Sequence, residues 1–141
     1  PGDRVEDFNG LVHTNPLMAV LMTIFLISLA GIPPTAGFLG KYFLFAGLIE
    51  TGNRWLAALA VIAVINTAVS LYYYARFIKA MFMGPVTESA PLALTPLMRT
   101  ALVVAAVMVL LVGIYPPPWV DLSRLAAEQL TAVTHEVIAG F

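Results

Sequence analysis

Lys41 is the residue in this 141-residue chain whose setting calls for chemistry. It stands between Phe38-Leu39-Gly40 and Tyr42-Phe43-Leu44, and no charged side chain precedes it back to Asp7. A lysine in hydrocarbon costs about 2.5–3.5 kcal/mol on insertion scales, so a deep one faces protein or water and is a functional candidate. Burial favours the neutral form of a lysine, and a group whose charge comes and goes can carry protons. The competing reading is a lysine that snorkels, with its stem in lipid and its ammonium at the headgroups. Position weighs against snorkelling. Leu17 to Gly40, if helical throughout, uses more than one membrane depth, and Tyr42 to Ile49 still separate Lys41 from Glu50.

Other polar residues have milder readings. Asn66, Thr67 and Ser70 lie on one side of a helix at i, i+1 and i+4. They either glue one helix to another, as small polar residues do in membranes, or hold water beside Lys41. Tyr72-Tyr73-Tyr74 followed by Arg76 and Lys79 reads as an interfacial belt with a positive end. Glu50 and Arg54 suit a surface pair better than an exit-path acid. His13 and His135 fall outside the apolar blocks and read as solvated. There is no glycine-rich phosphate loop, nucleophile elbow or metal-ligand cluster, so neither a metal nor a cofactor is expected in this chain.

The elements that must position Lys41 are apolar blocks. Asn15-Pro16 starts the first, because Pro is tolerated in the first helical turn. As one straight helix, Asn15 to Ile49 would be roughly 50 Å long, against a hydrocarbon layer of about 30 Å. Pro33-Pro34 and the glycines at 37 and 40 supply the interruption. The expectation is a broken helix over 16–50. Its pieces are 16–32 and 42–50, the backbone within 33–41 is non-helical, and Lys41 sits inside the break. Broken helices survive in membranes only where the freed backbone groups meet protein or a wet cavity. A second span is expected over 54–82 and a third over 97–115, joined by a proline-rich loop from Gly84 to Pro96. A tail over 119–138 follows, with Leu122, Leu125, Ala126, Leu130, Val133 and Val137 on one stripe. Asp121, Arg124, Glu128, Thr131 and His135 lie opposite, which suits an interfacial amphipathic helix beginning at Trp119.

Composition agrees with this class. The chain is 60% hydrophobic and only 11% charged, less than half the charge of an ordinary soluble domain. The fold class is therefore an all-α, polytopic membrane helix bundle of three transmembrane segments plus the tail, integral to the membrane and in contact with the lipid bilayer. Seven basic against eight acidic residues make no positive field, so nucleic acid is not a partner. With no cysteine, thiolate metal sites and iron–sulfur ligation are excluded from this chain. Arg4, Arg76, Lys79 and Arg99 share one side of the membrane and Arg54 and Arg124 the other, which favours the first side as cytoplasmic. A polar start without Met and without a signal peptide reads as a piece of a longer protein.

The stretch from Ser28 to Tyr42, with Gly31-Ile32-Pro33-Pro34-Thr35-Ala36-Gly37 and Gly40-Lys41 in it, resembles the broken late helix of the antiporter-like membrane subunits of proton-pumping NADH:quinone oxidoreductase, respiratory complex I. The entry Asp7-Phe8-Asn9-Gly10-Leu11 and the run Tyr72 to Arg76 are similar to the N-type subunits, and Lys41 with the tyrosine triplet points to these rather than to the M and L types. The resemblance covers nearly the whole chain, fading over 84–96 and after Pro118, with a departure at His13-Thr14. It implies the last three of fourteen spans. It further implies Lys41 as the terminal proton-transfer residue of a half-channel, driven by quinone reduction elsewhere. Neighbouring antiporter-like and other complex I membrane subunits are the implied partners, and a bacterial plasma membrane the expected location. The alternative is a subunit of a multi-subunit cation/proton antiporter, and a third is a structural membrane subunit with no ion path.

Overall fold

The computed structural model describes residues 4–86 and 95–139, with side chains through Thr131. A 3-10 turn, Val5–Phe8, leads into the short helix α1 (Leu11–Thr14). Five helices follow: α2 (Pro16–Ala30), α3 (Ala36–Glu50), α4 (Arg54–Met83), α5 (Pro96–Ile114) and α6 (Pro117–Ala139). No strand occurs among the described residues. Most of the proline-rich loop, 87–94, lies outside them. So do the side chains of Val133, His135 and Val137.

Local chemistry sets the helix starts. The Asn15 side chain accepts from the Met18 N–H ahead of Pro16, and the Asn53 side chain accepts from the Trp55 N–H at 2.9 Å. Thr95 does the same for α5, with Pro96 in the first turn. Each cap satisfies one of the amide donors that a helix start leaves free. The packing centre is small. Leu11, Ala19 and Met81 are buried, with Phe8, Met22, Leu26 and Phe77 packed around them, so α1 and α2 close onto the end of α4. The rings of Phe8 and Phe77 meet at 4.9 Å. The middle of the bundle is formed by α2 and α3 resting on α4 and α5.

Two helices, α4 and α5, are long and apolar enough to cross a membrane, and α2 is a shorter apolar helix. Only 6% of the most apolar stretch of each long helix is buried, which separates them from the core helices of a soluble protein. Ile62, Ile65, Val69 and Leu111 all lie exposed. A continuous apolar face of this kind needs lipid or a neighbouring protein to cover it. On α6 every described side chain from Asp121 onward is exposed, Leu122 and Leu125 among them.

The interruption is shorter than the sequence suggests. Helical structure stops at Ala30 and resumes at Ala36, not at Tyr42. Pro33 and Pro34 break the ladder, whereas Gly37 and Gly40 sit inside α3. Lys41 is therefore helical, in the second turn of α3, and not inside the break. Sequence alone counts these glycines as helix breakers, and the structure corrects that. A few glycines cost a helix about 1 kcal/mol each, which neighbouring contacts readily offset.

Candidate functional site

The site is the corner between α2 and α3. Gly31 terminates α2 with φ +78°, in the left-handed region that favours glycine. Its N–H donates to the Ser28 carbonyl at 3.0 Å, and the Ile32 N–H donates to the Ile27 carbonyl at 3.2 Å. That pair of bonds is a Schellman end, which satisfies two of the last carbonyls of the helix. The Leu29 carbonyl is taken by Lys41: its Nζ donates there at 2.7 Å. The lysine thus reaches back across the break and caps α2 with a positive charge. A helix C-terminus carries the negative pole of the macrodipole, so a cation is favoured there. The aliphatic stem of Lys41 lies over Gly31, where a Cβ would come within 2.9 Å of Cδ and 3.3 Å of Nζ.

The start of α3 is held from the other side of the corner. The Ser28 Oγ accepts from the Gly37 N–H at 3.2 Å, which supplies a free first-turn donor with a partner. A Cβ on Gly37 would collide with the Ser28 carbonyl, so glycine is what lets the two half-helices meet. Thr35 ends the break almost fully buried, at 2% exposed, with its hydroxyl donating to the Ile32 carbonyl at 2.8 Å. Gly113 of α5 lies against the Pro34 carbonyl and the Thr35 Cα, where no side chain would fit. The corner is therefore clamped by Ser28, Gly37 and Gly113 together. Ser28→Ala should leave the Gly37 N–H without the Ser28 Oγ and cost about 1–3 kcal/mol, read as a lower thermal midpoint of the detergent-solubilised protein.

The other candidates do not converge on Lys41. Thr67 and Ser70 bond to carbonyls one turn back on their own helix, Ala63 at 2.9 Å and Asn66 at 2.9 Å. Both are half-buried, while Asn66 is exposed. Glu50 and Arg54 are both exposed, at the end of α3 and the start of α4, and His13 is exposed on α1. Tyr72 and Tyr73 stack edge to face at 5.6 Å on the outside of α4. Among the described residues no group of three His, Cys, Asp or Glu could hold a metal.

Ser28, Thr35 and Gly113 were not singled out by sequence. The one available signal was Gly113, a lone glycine inside an apolar helix, which marks a close backbone approach.

Comparison with known proteins bears on the whole corner. Residues 2–67 match the model of the NADH:quinone oxidoreductase/Mrp antiporter transmembrane family. The chain is 45% identical over 124 residues to NADH-quinone oxidoreductase subunit N 2 of Solibacter usitatus, covering 87% of this chain and 24% of the relative. It is 45% identical over 129 residues to F(420)H(2) dehydrogenase subunit N of Methanosarcina mazei, covering 91% of this chain and 26% of the relative. Subunit N of Trichlorobacter lovleyi is 46% identical over 137 residues, at 92% and 26%. The chain thus spans about a quarter of the length of the curated relatives it matches. Its fold is similar to part of respiratory complex I from Thermus thermophilus, with TM-score 0.70 and 35% identity over 79% of this chain and 25% of that one. This is an integral membrane chain whose residues 2–67 match the NADH:quinone oxidoreductase/Mrp antiporter transmembrane family, and most of its length is similar to about a quarter of the curated subunits N.

Proposed function

We propose that this chain forms part of a proton half-channel in a proton-translocating NADH:quinone oxidoreductase, and that Lys41 is its proton-transfer residue. One observation carries the reading. In a stretch free of other charge, Lys41 places its ammonium 2.7 Å from the Leu29 carbonyl at a helix end left open by the break. A cation held by backbone in the middle of an interrupted helix can exchange a proton without leaving its seat. The reaction driving it belongs to other subunits. Relatives named for two different electron donors, an NADH-quinone oxidoreductase and an F(420)H(2) dehydrogenase, each match this segment at 45% identity, which supports electron-donor chemistry lying elsewhere.

The half-helices α2 and α3 together make the third crossing. Each has 15 residues, about 22 Å of helix, and falls short of the roughly 30 Å needed alone. The backbone hydrogen bonds made at Gly31, Ile32 and Gly37 are what such an interruption requires in lipid. The side carrying Arg4, Arg76, Lys79 and Arg99 is cytoplasmic, and in a bacterial cell the membrane is the plasma membrane. The partners are the other membrane subunits of the complex, including neighbouring antiporter-like subunits. The quoted relatives are dehydrogenase or oxidoreductase subunits, which favours this reading over a cation/proton antiporter subunit.

The test is Lys41→Ala in the complete assembly, reconstituted in vesicles. Protons moved per NADH oxidised should fall, while assembly and NADH oxidation by a soluble acceptor persist. An assembled Lys41→Ala enzyme with unchanged proton yield would end the proposal.

A further inference from the structure

The end of α4 carries a second feature unconnected with Lys41. Trp55 to Ala75 rises roughly 30 Å without a charge, the thickness of the hydrocarbon layer. Arg76 and Lys79 come directly after it, at headgroup level. One side of this helix end is closed. Phe77 packs on Phe8, the Ala80 carbonyl accepts from the Gly10 N–H at 3.1 Å, and Met81 is fully buried. The other side is open. Tyr72, Ala75, Arg76 and Lys79 line a groove of about 400 Å³, and Arg76, Lys79, Ala80, Met83 and Gly84 line a second of about 270 Å³. Arg76 and Lys79 line both. The short side chain of Ala75 leaves room between the longer ones, while Gly84 lies pressed against the Asn9 side chain and the Ala80 carbonyl. Among the described residues neither cation has an ion-pair partner.

From this geometry we infer that Arg76 and Lys79 bind the phosphodiester headgroup of an anionic phospholipid. A guanidinium forks onto two phosphate oxygens, and an ammonium one turn away neutralises the rest of the charge. Tyr72 and Met83 flank the cations, with Tyr72 one turn nearer the membrane centre, where the acyl chains begin. Charge complementarity selects the occupant: the surface of an anionic leaflet attracts cations at this depth, and a zwitterionic headgroup brings no net charge to two unpaired ones.

The experiment places a photo-crosslinking amino acid at Met83 in the complete assembly, reconstituted in phosphatidylcholine vesicles holding a minority of phosphatidylglycerol. Lipid adducts should be enriched in phosphatidylglycerol over its share of the bilayer, by about fivefold for each cation. Arg76→Gln with Lys79→Gln should return the adducts to the bilayer ratio. Added inorganic phosphate should lower capture no more than chloride of the same ionic strength. A greater loss with phosphate means that free phosphate is the ligand and overturns the inference. So does a crosslink to another protein segment, or capture of both lipids in proportion to their abundance. If the double variant does not assemble, the single Lys79→Gln and the salt dependence decide. Headgroup selection that survives rising ionic strength is not electrostatic and overturns the inference.

Discussion

Lys41→Arg is expected to stop proton transfer through this subunit while leaving the assembly intact. Arginine keeps the positive charge and five donors, so the Leu29 carbonyl at the end of α2 can still be capped. What it removes is exchange, because a guanidinium does not deprotonate in a protein. A proton-transfer group contributes about a hundredfold or more to the rate of its step, so flow along this path should drop by at least that factor. The measurement is proton translocation in vesicles per NADH oxidised, with subunit content checked separately. A lysine serving only as helix cap or interfacial anchor predicts the opposite result, since arginine would replace it freely. Full translocation by an assembled Lys41→Arg enzyme would leave Lys41 as a cap and nothing more.

The second large effect is steric. Gly37→Ala puts a methyl group into the Ser28 carbonyl, and Gly113→Ala puts one against the Pro34 carbonyl and the Thr35 Cα. In both cases the obstacle is backbone, which cannot swing aside as a side chain can. The corner must open, and overpacking of this kind costs about 3 kcal/mol. Both variants should lower the thermal midpoint of the solubilised assembly or the amount of subunit incorporated. Gly40→Ala and Gly47→Ala are the internal controls, because a Cβ at either position meets nothing within 4 Å among the described residues. These should be neutral or more stable by up to about 1 kcal/mol, the helix-propensity gain of alanine over glycine. Equal losses at all four positions would show that glycine matters here for some reason other than the α2–α3–α5 contact.

The four glycines also mark where sequence reading stops. The long helices were legible, because α4 and α5 are uninterrupted apolar runs opened by Asn53 and by Thr95-Pro96, whose caps act within three residues. Pro33-Pro34 as the point of interruption was legible for the same local reason. Gly37 and Gly40 look alike in sequence. Their difference lies in what stands opposite, the Ser28 carbonyl in one case and open space in the other, and that depends on how the two half-helices fold back. Lys41 stood out by type and setting, but its partner did not. A backbone carbonyl twelve residues earlier has no side-chain signature, and only the turn at Gly31 brings it within reach.

The exposed apolar faces of α4 and α5 have a consequence for how the chain holds together. The chain exposes 10344 Å², whereas a compact protein of 15.1 kDa exposes about 7,100 Å². The surplus, roughly 3,200 Å² on that scale, is comparable to a large obligate interface. Against it stand, among the described residues, seven buried apolar residues, four of them alanines at 0 to 6% exposure. So thin an interior cannot offset the entropy of ordering the chain in water. The helices persist because lipid leaves their backbone groups no other partners, and their arrangement is set by what covers the surplus. Substitutions on those faces should therefore register as altered stoichiometry of the assembly, whereas substitutions at the α2–α3 corner should register as altered structure of the chain itself.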